Sequence, residues 1–567
     1  VTTHEPHIRV VPLGGLEEIG RNMSYFEYVD PASPHNGKIL IVDMGMQFPD
    51  ENMPGVDYVV PNVESIKAKK HNIVGIIITH AHMDHIGAIP HLMPMLGEDI
   101  PIFSTDLTIA IIKKRQEDYH DGRKRLNLKE VNNDTKLQLG PFAVSFFGVS
   151  HNVPASVAAV ISTPIGIIVH TGDFKIDTTS DIAGHTEIEK IRELGSKNVL
   201  LLMADSTDAR SPGHQTSETD IVAEIEGIVK NTSGRIFFAT FSSLLGRINE
   251  IIAIAEKYKK KVVIDGRSMR ANVAIATELG YMKYNPKIII PIEEAHKHDP
   301  NSLLILVTGA QGENNAVLMR IVNKRHRFLK IQPGDTVVFS SSVVPGNERS
   351  VQALTDKLYR DGAEVLNYKM MDLHAGGHAK QEDLMLMMDL VKPRYVLPIH
   401  GMHAFLRIHA KLARQVGLED SHILVSDNGQ VSIATKDKVV LSDERVPANY
   451  VMVDGLGVGD VQEIVLRDRQ AMASEGIFVI IAVVDAQTGK LKGNPDIISR
   501  GFVYLRESQD LMSETRRRIK KTVEDISVEM HPINFQYVKD QLREKIGQYL
   551  FTKTERRPMI LPVVIEV

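Results

Sequence analysis

Three imidazoles and a carboxylate fall within the six residues that end the stretch Thr79-His80-Ala81-His82-Met83-Asp84-His85, directly after the apolar run Val74-Gly75-Ile76-Ile77-Ile78. The run reads as a buried strand that delivers ligands onto a loop. Side chains alternate along an extended segment, so His80 and His82 point the same way, and Asp84 and His85 follow as the chain turns into Ile86-Gly87-Ala88-Ile89-Pro90. That donor set suffices for two neighbouring metal ions, and imidazole mixed with carboxylate suits zinc or manganese. A merely His-rich surface loop is the competing reading, which this spacing behind a buried strand disfavours.

The remainder of such a site should stand at other strand ends. Val144-Ser145-Phe146-Phe147-Gly148-Val149-Ser150 runs into His151, and Ile165-Gly166-Ile167-Ile168-Val169 into His170-Thr171-Gly172-Asp173. Tyr395-Val396-Leu397-Pro398-Ile399 runs into His400, and Asp43 ends the run Ile39-Leu40-Ile41-Val42. Any one of these alone reads as a hydrogen-bonded His or a turn-forming Asp. Together with the first cluster they read as one constellation.

Composition sets the frame. With 567 residues there is room for roughly three or four domains. The chain is 43% hydrophobic and 24% charged, no run approaches the ~20 apolar residues of a membrane span, and no signal peptide is evident. Cysteine is absent, so every metal ligand must be His, Asp or Glu, which fits a cytoplasmic enzyme. A net charge of −5 argues against a generally basic nucleic-acid binder; were the substrate a nucleic acid, basic residues would have to be gathered along a channel. Lys113-Lys114-Arg115, Arg123-Lys124-Arg125, Lys324-Arg325-His326-Arg327 and Arg516-Arg517-Arg518 are candidates, each equally readable as a solvated helix face.

HxHxDH with a preceding Asp and a following His and Asp resembles the metallo-β-lactamase signature. Leu13-Gly14-Gly15-Leu16-Glu17-Glu18-Ile19-Gly20-Arg21-Asn22, His170-Thr171-Gly172-Asp173-Phe174-Lys175, Gly266-Arg267-Ser268-Met269 and Pro495-Asp496-Ile497-Ile498-Ser499-Arg500-Gly501-Phe502 narrow the resemblance to the ribonuclease J family, in the β-CASP branch. The likeness runs from about residue 8 to the C-terminus.

The expected fold is α/β: an αββα metallo-β-lactamase sandwich, an inserted α/β β-CASP domain and a small α/β C-terminal domain. His400 completes the metal set yet lies beyond the second α/β unit, so that unit must be inserted. The expected boundaries are 8–210 and 372–447 for the first domain and 211–371 for the insert. A linker at 448–460 and a C-terminal assembly domain at 461–567 follow. That last domain is expected to hold strands at 478–484 and 560–565 with two amphipathic helices.

Resemblance and spacing together imply that His80, His82 and His151 hold one ion, that Asp84, His85 and His400 hold another, and that Asp173 bridges both. Zinc is the first expectation, with manganese or magnesium as alternatives. Asp43 is expected to orient the His loop through a hydrogen bond. The β-CASP pattern implies Asp205, His378 and His400 as its acidic, His and final His motifs. His378 is then a general acid or transition-state stabiliser oriented by Asp205, with Asp84 also catalytic, and a final His goes with RNA rather than DNA.

The family resemblance further implies 5′-to-3′ exonuclease activity preferring a 5′-monophosphate, additional endonuclease activity, roles in rRNA processing and mRNA decay, and homodimers or homotetramers, with a paralogue or RNA-decay proteins as further partners and none in the membrane. Candidates for the 5′-phosphate pocket are Arg267 and Ser268, then Ser243, Gly376, Gly377 and His378, besides loops at 309–312 and 340–342. The chain departs from relatives at Ala81 and Met83, at Met402-His403 where Glu-Tyr is usual, and before Arg247; none of these removes a ligand. A catalytically weak paralogue serving as structural partner is the alternative reading, set aside by the complete ligand set. A thioesterase or a tRNA 3′-endonuclease is disfavoured by the insert, with its His378, and by the C-terminal domain.

Overall fold

Short β-branched runs in the first two hundred residues pair into two sheets whose apolar faces meet. A computed structural model describes residues 5–50, 52–119, 126–177, 186–313, 315–341, 343, 347–367, 376–455, 457–459, 463–503, 508–530 and 533–567. The basic run 123–125, Ser342 and the expected return point near 372 lie outside them. Neighbouring strands of the eight-stranded sheet are Val439–Arg445, Gln430–Ala434, His7–Gly14, Met23–Val29, Ile39–Val42, Ile73–Ile77, Ile102–Ser104 and Leu128–Glu130. The six-stranded sheet runs Tyr395–Ile399, Val199–Asp205, Ile167–His170, Val157–Ser162, Phe142–Gly148 and Lys136–Leu139.

Phe26, Leu40, Val42 and Ile77 of the first sheet share one buried cluster with Phe146, Ala159, Leu201 and Leu397 of the second. Each such side chain contributes about 1.5–3 kcal/mol by leaving water. Helices Ile188–Gly195, Gln381–Val391 and His403–Gln415 cover the other face of the six-stranded sheet through Ile191, Leu384, Met387 and Leu412. Helix Asp106–Gln116 packs by strand Leu128–Glu130 of the larger sheet. This is the αββα sandwich.

Tyr395–Ile399 pairs in parallel with Val199–Asp205, placing Ile399 opposite Asp205. Nearly two hundred residues separate these neighbours in the chain, and within them a second sheet forms. Its order is Lys261–Asp265, Leu303–Val307, Ile236–Ala239, Thr336–Phe339 and Glu364–Asn367, all parallel. The edge strand Glu364–Asn367 does not stand out in the sequence, because only Val365 of it is fully buried. The chain runs from Ile236–Ala239 to one side of it and later crosses from Leu303–Val307 to Thr336–Phe339 on the other, so the crevice of this open sheet lies at the carboxyl ends of Ile236–Ala239 and Thr336–Phe339.

The root of the insert is anchored by buried charge. Glu218 begins helix Glu218–Asn231, and its carboxylate accepts from Lys175 Nζ at 2.8 Å and from Arg247 Nη2 at 2.8 Å. Both cations are fully buried. Arg247 Nη1 also donates to Ser340 Oγ at 3.0 Å.

Phe48–Val59 group with Val451–Val567 as a second compact unit. The stretch expected as linker forms a hairpin of Val451–Asp454 and Gly457–Val458, and Asp57 N donates to Val453 O at 2.9 Å. The sequence alone assigns 48–59 to the first domain, since a three-residue strand carries no periodicity. Ile477–Val484 is the central strand of a second small sheet, antiparallel to Asp496–Arg500 and parallel to Met559–Glu566. The two expected helices are Gln509–Glu529 and Phe535–Thr554, and among the described residues a further helix, Glu463–Glu475, precedes the sheet. No described helix is long and apolar enough to cross a membrane.

Burial pushes the Glu218 carboxyl up, but Arg247 and Lys175 outweigh it and hold it down at about 2, against an ordinary 4.5. A depressed carboxyl stabilises the fold above the unfolded pKa, and that contribution is lost as pH falls through the folded one. Glu218→Gln leaves two buried cations short of a partner and should cost about 3–5 kcal/mol at pH 7. Calorimetry should show a lowered melting temperature at pH 7 and a gap to wild type that narrows as pH falls from 4.5 towards 2. An unchanged melting temperature at pH 7 would remove the anchoring role.

Candidate metal centre

The His loop takes its shape from strand Ile73–Ile77 on one side and the segment after Ile39–Val42 on the other. Asp43 sits at φ 62°, a left-handed conformation that turns the chain beneath the loop. Met44 N then donates to His85 O at 2.8 Å, and Met46 N to Met83 O at 3.0 Å. A Cβ at Gly45 would lie 1.5 Å from Asp84 O, so only glycine lets the loop come this close. Residues 83–86 form one helical turn with His82 at its N-terminal boundary.

Three overlapping donor groups share Asp173 among the described residues, the third being Asp173, Asp205, His378 and His400. His80, His82, His151 and Asp173 form the first; Asp84, His85, Asp173 and His400 form the second; ligand atoms within each lie within 4.8 Å of one another. Asp173 Oδ2 faces the first group, 3.7 Å from His80 Nε2 and 3.8 Å from His151 Nε2. Its Oδ1 faces the second, 3.2 Å from His85 Nε2 and 2.7 Å from His400 Nδ1. Asp84 Oδ2 lies 3.5 Å from His85 Nε2 and 3.4 Å from His400 Nε2.

The donor atoms fit a pair of cations. Asp173 Oδ2 and His400 Nε2 are buried with no hydrogen-bond partner among the described residues, an arrangement that is costly unless something else satisfies them. Burial pushes the imidazoles of His80, His82 and His151 down, His82 to about 4, so all three are neutral near pH 7. Burial pushes Asp84 and Asp173 up, but His85 and His400 outweigh it and hold both carboxylates ionised. Neutral imidazole and ionised carboxylate are the forms that donate a lone pair to a metal. At His400 burial lowers the pKa, yet Asp173 draws it up to about 10, which marks the spot as one that attracts positive charge.

Nitrogens facing away from the cluster are also engaged. Thr79 Oγ1 lies 3.0 Å from His80 Nδ1, and Gly377 O lies 2.6 Å from His151 Nδ1. Asp43 Oδ2 lies 2.8 Å from His85 Nδ1, and Ser243 Oγ lies 3.0 Å from His82 Nε2. Asp43 also accepts from Thr79 N at 2.8 Å. A Cβ at Gly377 would meet His151 Cε1 at 2.6 Å, which accounts for a glycine there. His378 Nδ1 lies 2.7 Å from Asp205 Oδ2 and 3.9 Å from Asp173 Oδ2. Thr207 Oγ1 donates to Asp205 Oδ1 at 2.7 Å.

All seven expected ligands, with Asp43, Asp205, His378, Ser243 and Gly377, are therefore gathered at one place, and Gly376 adjoins it. Arg267 and Ser268 stand apart: exposed on the first turn of helix Arg267–Glu278, they make no ion pair or hydrogen bond with this cluster among the described residues. Asn22 and Thr79 escape sequence reading. Asn22 Nδ2 reaches His85 Nε2 at 3.1 Å and Asp84 Oδ2 at 3.4 Å, but an amide and a hydroxyl carry no ligand signature; only their place in the quoted runs could have pointed to them. Met402 is 40% exposed, and the carboxylate partner of His400 Nδ1 is Asp173, so this contact does not draw on residue 402.

Four family models match: "Beta-lactamase superfamily domain" over residues 54–230 and "Ribonuclease J, beta-CASP domain" over 233–358, then "Zn-dependent metallo-hydrolase RNA specificity domain" over 365–424 and "Ribonuclease J C-terminal domain" over 464–567. Ribonuclease J of Thermus thermophilus is 38% identical, covering 99% of this chain and 96% of its own. The chain belongs to the ribonuclease J family. Ribonuclease J 1 of Streptococcus pyogenes is 37% identical, with 98% and 97% covered, and Ribonuclease J2 of Bacillus subtilis 33%, with 99% and 99%. A solved structure of a protein of unknown function from Enterococcus faecalis shares the fold at 18% identity and a TM-score of 0.54, covering 75% of this chain and all of that one. Membership in ribonuclease J makes the protein a metal-dependent hydrolase acting on RNA, on a metallo-β-lactamase fold with inserted β-CASP and C-terminal domains.

The first and second donor groups, around one shared carboxylate, lead to a stoichiometric expectation. Elemental analysis of protein purified without chelator should give close to two equivalents of divalent metal, and Asp84→Ala should keep one of them. A value near zero after reconstitution would dismiss the assignment.

Proposed function

We propose that this chain hydrolyses RNA phosphodiesters at a dinuclear centre, as a 5′-to-3′ exonuclease favouring 5′-monophosphate ends, with internal cleavage as a second mode. The observation that carries the reading is Asp173, whose two oxygens each face a separate group of imidazoles. His80, His82 and His151 would hold one ion and Asp84, His85 and His400 the other, with Asp173 common to both groups. Zinc is the preferred metal, with manganese or magnesium able to serve. Such ions, when bound, acidify water and offset the charge that develops on a phosphodiester.

The chain's own groups supply the rest. Asp43 and Thr79 orient the His loop through the hydrogen bonds given above. Cleavage leaves an oxygen that needs a proton, and this reading gives that task to His378. With Nδ1 held by Asp205, its other ring nitrogen can carry that proton. Burial lowers the His378 pKa, but the Asp205 carboxylate outweighs burial and raises it, which favours the proton-bearing form.

Arg267 and Ser268, at the exposed N-terminal turn of a twelve-residue helix, supply a cation, a hydroxyl and free N–H groups for a 5′-monophosphate, with Gly376 and Gly377 on the side of the metal centre. The domain boundaries that accompany this reading are 8–210 with 372–447, 211–371, and 461–567. The setting is rRNA processing and mRNA decay in the cytoplasm.

End-labelled RNAs bearing a 5′-monophosphate, a triphosphate or a hydroxyl test the function. His378→Ala should lower turnover by about 10²- to 10⁴-fold with metal content unchanged. Arg267→Ala should slow decay from the 5′ end and spare internal cleavage. Loss of metal in His378→Ala would make His378 a ligand, and equal decay of all three RNAs would refute the 5′ pocket.

The second unit supports self-association. One face of its sheet is open and mostly apolar, with Asp496 and Arg500 at its edge: Val479 stands opposite Ile498 and Leu561, Ile481 opposite Val563, and Val483 opposite Ile565. Leu561 is 45% and Ile565 43% exposed. A small sheet with such a face is a natural site for a second copy, in a homodimer or homotetramer, or for a paralogue in an RNA-decay complex. Arg517 and Arg518 both pair with Glu514, which leaves less charge there for RNA. Light scattering of Leu561→Lys with Val563→Lys should show smaller assemblies with metal content kept; an unchanged mass would place the interface elsewhere.

A further inference from the structure

Each imidazole of the first donor group turns one nitrogen inward and has the other engaged. His82 Nδ1 lies 3.2 Å from His80 Nε2 and 3.0 Å from His151 Nε2, so these three nitrogens converge. Behind them stand Thr79 Oγ1 for His80, Gly377 O for His151 and Ser243 Oγ for His82. Of these partners only Ser243 comes from the inserted sheet. It lies in the loop after Ile236–Ala239, at the sheet's crevice. Asn272 Nδ2 donates to Ser242 O at 2.9 Å, and Leu245 N to Ser243 O at 2.8 Å, so the loop presents its hydroxyl from a fixed turn. Nearby, Tyr281 Oη donates to Asp106 Oδ1 at 2.7 Å and ties the insert to the helix Asp106–Gln116 of the sandwich.

An imidazole offers a lone pair at Nδ1 only when its proton sits on Nε2, and the group that accepts that proton's hydrogen bond selects the tautomer and fixes the ring. We propose that Ser243 is a positioning residue: its Oγ accepts from His82 Nε2–H and holds Nδ1 ready for the metal, so the first ion is bound tightly only while the insert is docked on the His loop. The inference rests on the ligand set proposed above. It gives Ser243 a task other than binding the 5′ phosphate. Linkage makes the effect reciprocal: whatever docking adds to metal affinity, metal adds to docking.

Two measurements on the full-length chain test this. Metal-stripped protein is titrated with zinc against a chromophoric chelator for wild type, Ser243→Ala, Ser243→Thr and His82→Ala. Ser243→Ala should bind one ion as wild type does and the other about 10- to 100-fold more weakly. Ser243→Thr, which restores the hydroxyl, should recover affinity, and His82→Ala should lose that ion. The chain has no cysteine, so Lys114→Cys with Lys257→Cys allows two spin labels, one on the sandwich and one on the insert. Zinc should narrow their distance distribution in wild type and leave it broad in Ser243→Ala. Wild-type affinity for both ions in Ser243→Ala, alongside loss of one in His82→Ala, would overturn the positioning role and leave the ligand set standing. Retention of both ions by His82→Ala would overturn the ligand set and this inference together.

Discussion

The carboxylate of Asp173 is the point on which the centre turns. It is buried, and it sits between imidazoles on two sides, with His85 and His400 reached by one oxygen and His80 and His151 by the other. A buried anion of this kind is tolerable only with positive charge beside it. Side-chain protonation answers part of that need at His85 and His400, where carboxylates outweigh burial and raise the pKa. The unpartnered Oδ2 shows the part left over, on the side where three imidazoles are neutral. Cation binding and the burial of Asp173 are two faces of one electrostatic constraint.

The fold meets that constraint by bringing strand ends together rather than by local sequence. Ile73–Ile77 belongs to one sheet, and Ile167–His170 and Tyr395–Ile399 to the other; their carboxyl ends deliver the His loop, Asp173 and His400 to the same edge of the sandwich. Packing of Phe26, Leu40 and Ile77 against Phe146, Leu201 and Leu397 sets the separation of the sheets. It therefore sets the separation of the donors.

This explains which parts were legible in the sequence. A strand end followed by His or Asp is a local pattern, and Ile39–Val42 and Tyr395–Ile399 carry the bounds that their apolar runs suggest. The inserted sheet was readable from its central strands, and its edge Glu364–Asn367 was not, because an edge strand need not be apolar. Asp496–Arg500 alternates buried and exposed residues on the rim of a small sheet, but its residues Asp496-Ile497-Ile498-Ser499-Arg500 do not alternate in polarity. Asn22, Thr79 and Ser243 were beyond reach as orienting groups for another reason. Their chemistry is that of any amide or hydroxyl, and only the tertiary fold sets them against His85, His80 and His82.

Charge follows the same logic of position over composition. A chain of net charge −5 that acts on RNA cannot rely on a basic surface at large. Individual members of the basic runs are paired with carboxylates: Lys114 with Glu117, Arg517 and Arg518 with Glu514, and His326 with Asp265. Lys175 and Arg247 are sealed inside, where they hold Glu218 at the root of the insert. Buried cations of this kind are poor RNA ligands but effective in fixing one orientation, because misalignment would leave a charge unpaired in a low dielectric. With Ser243 on His82 and Tyr281 on Asp106, they make three contacts that tie the insert to the sandwich around the metal centre. Arg267, by contrast, is exposed and without an ion pair among the described residues.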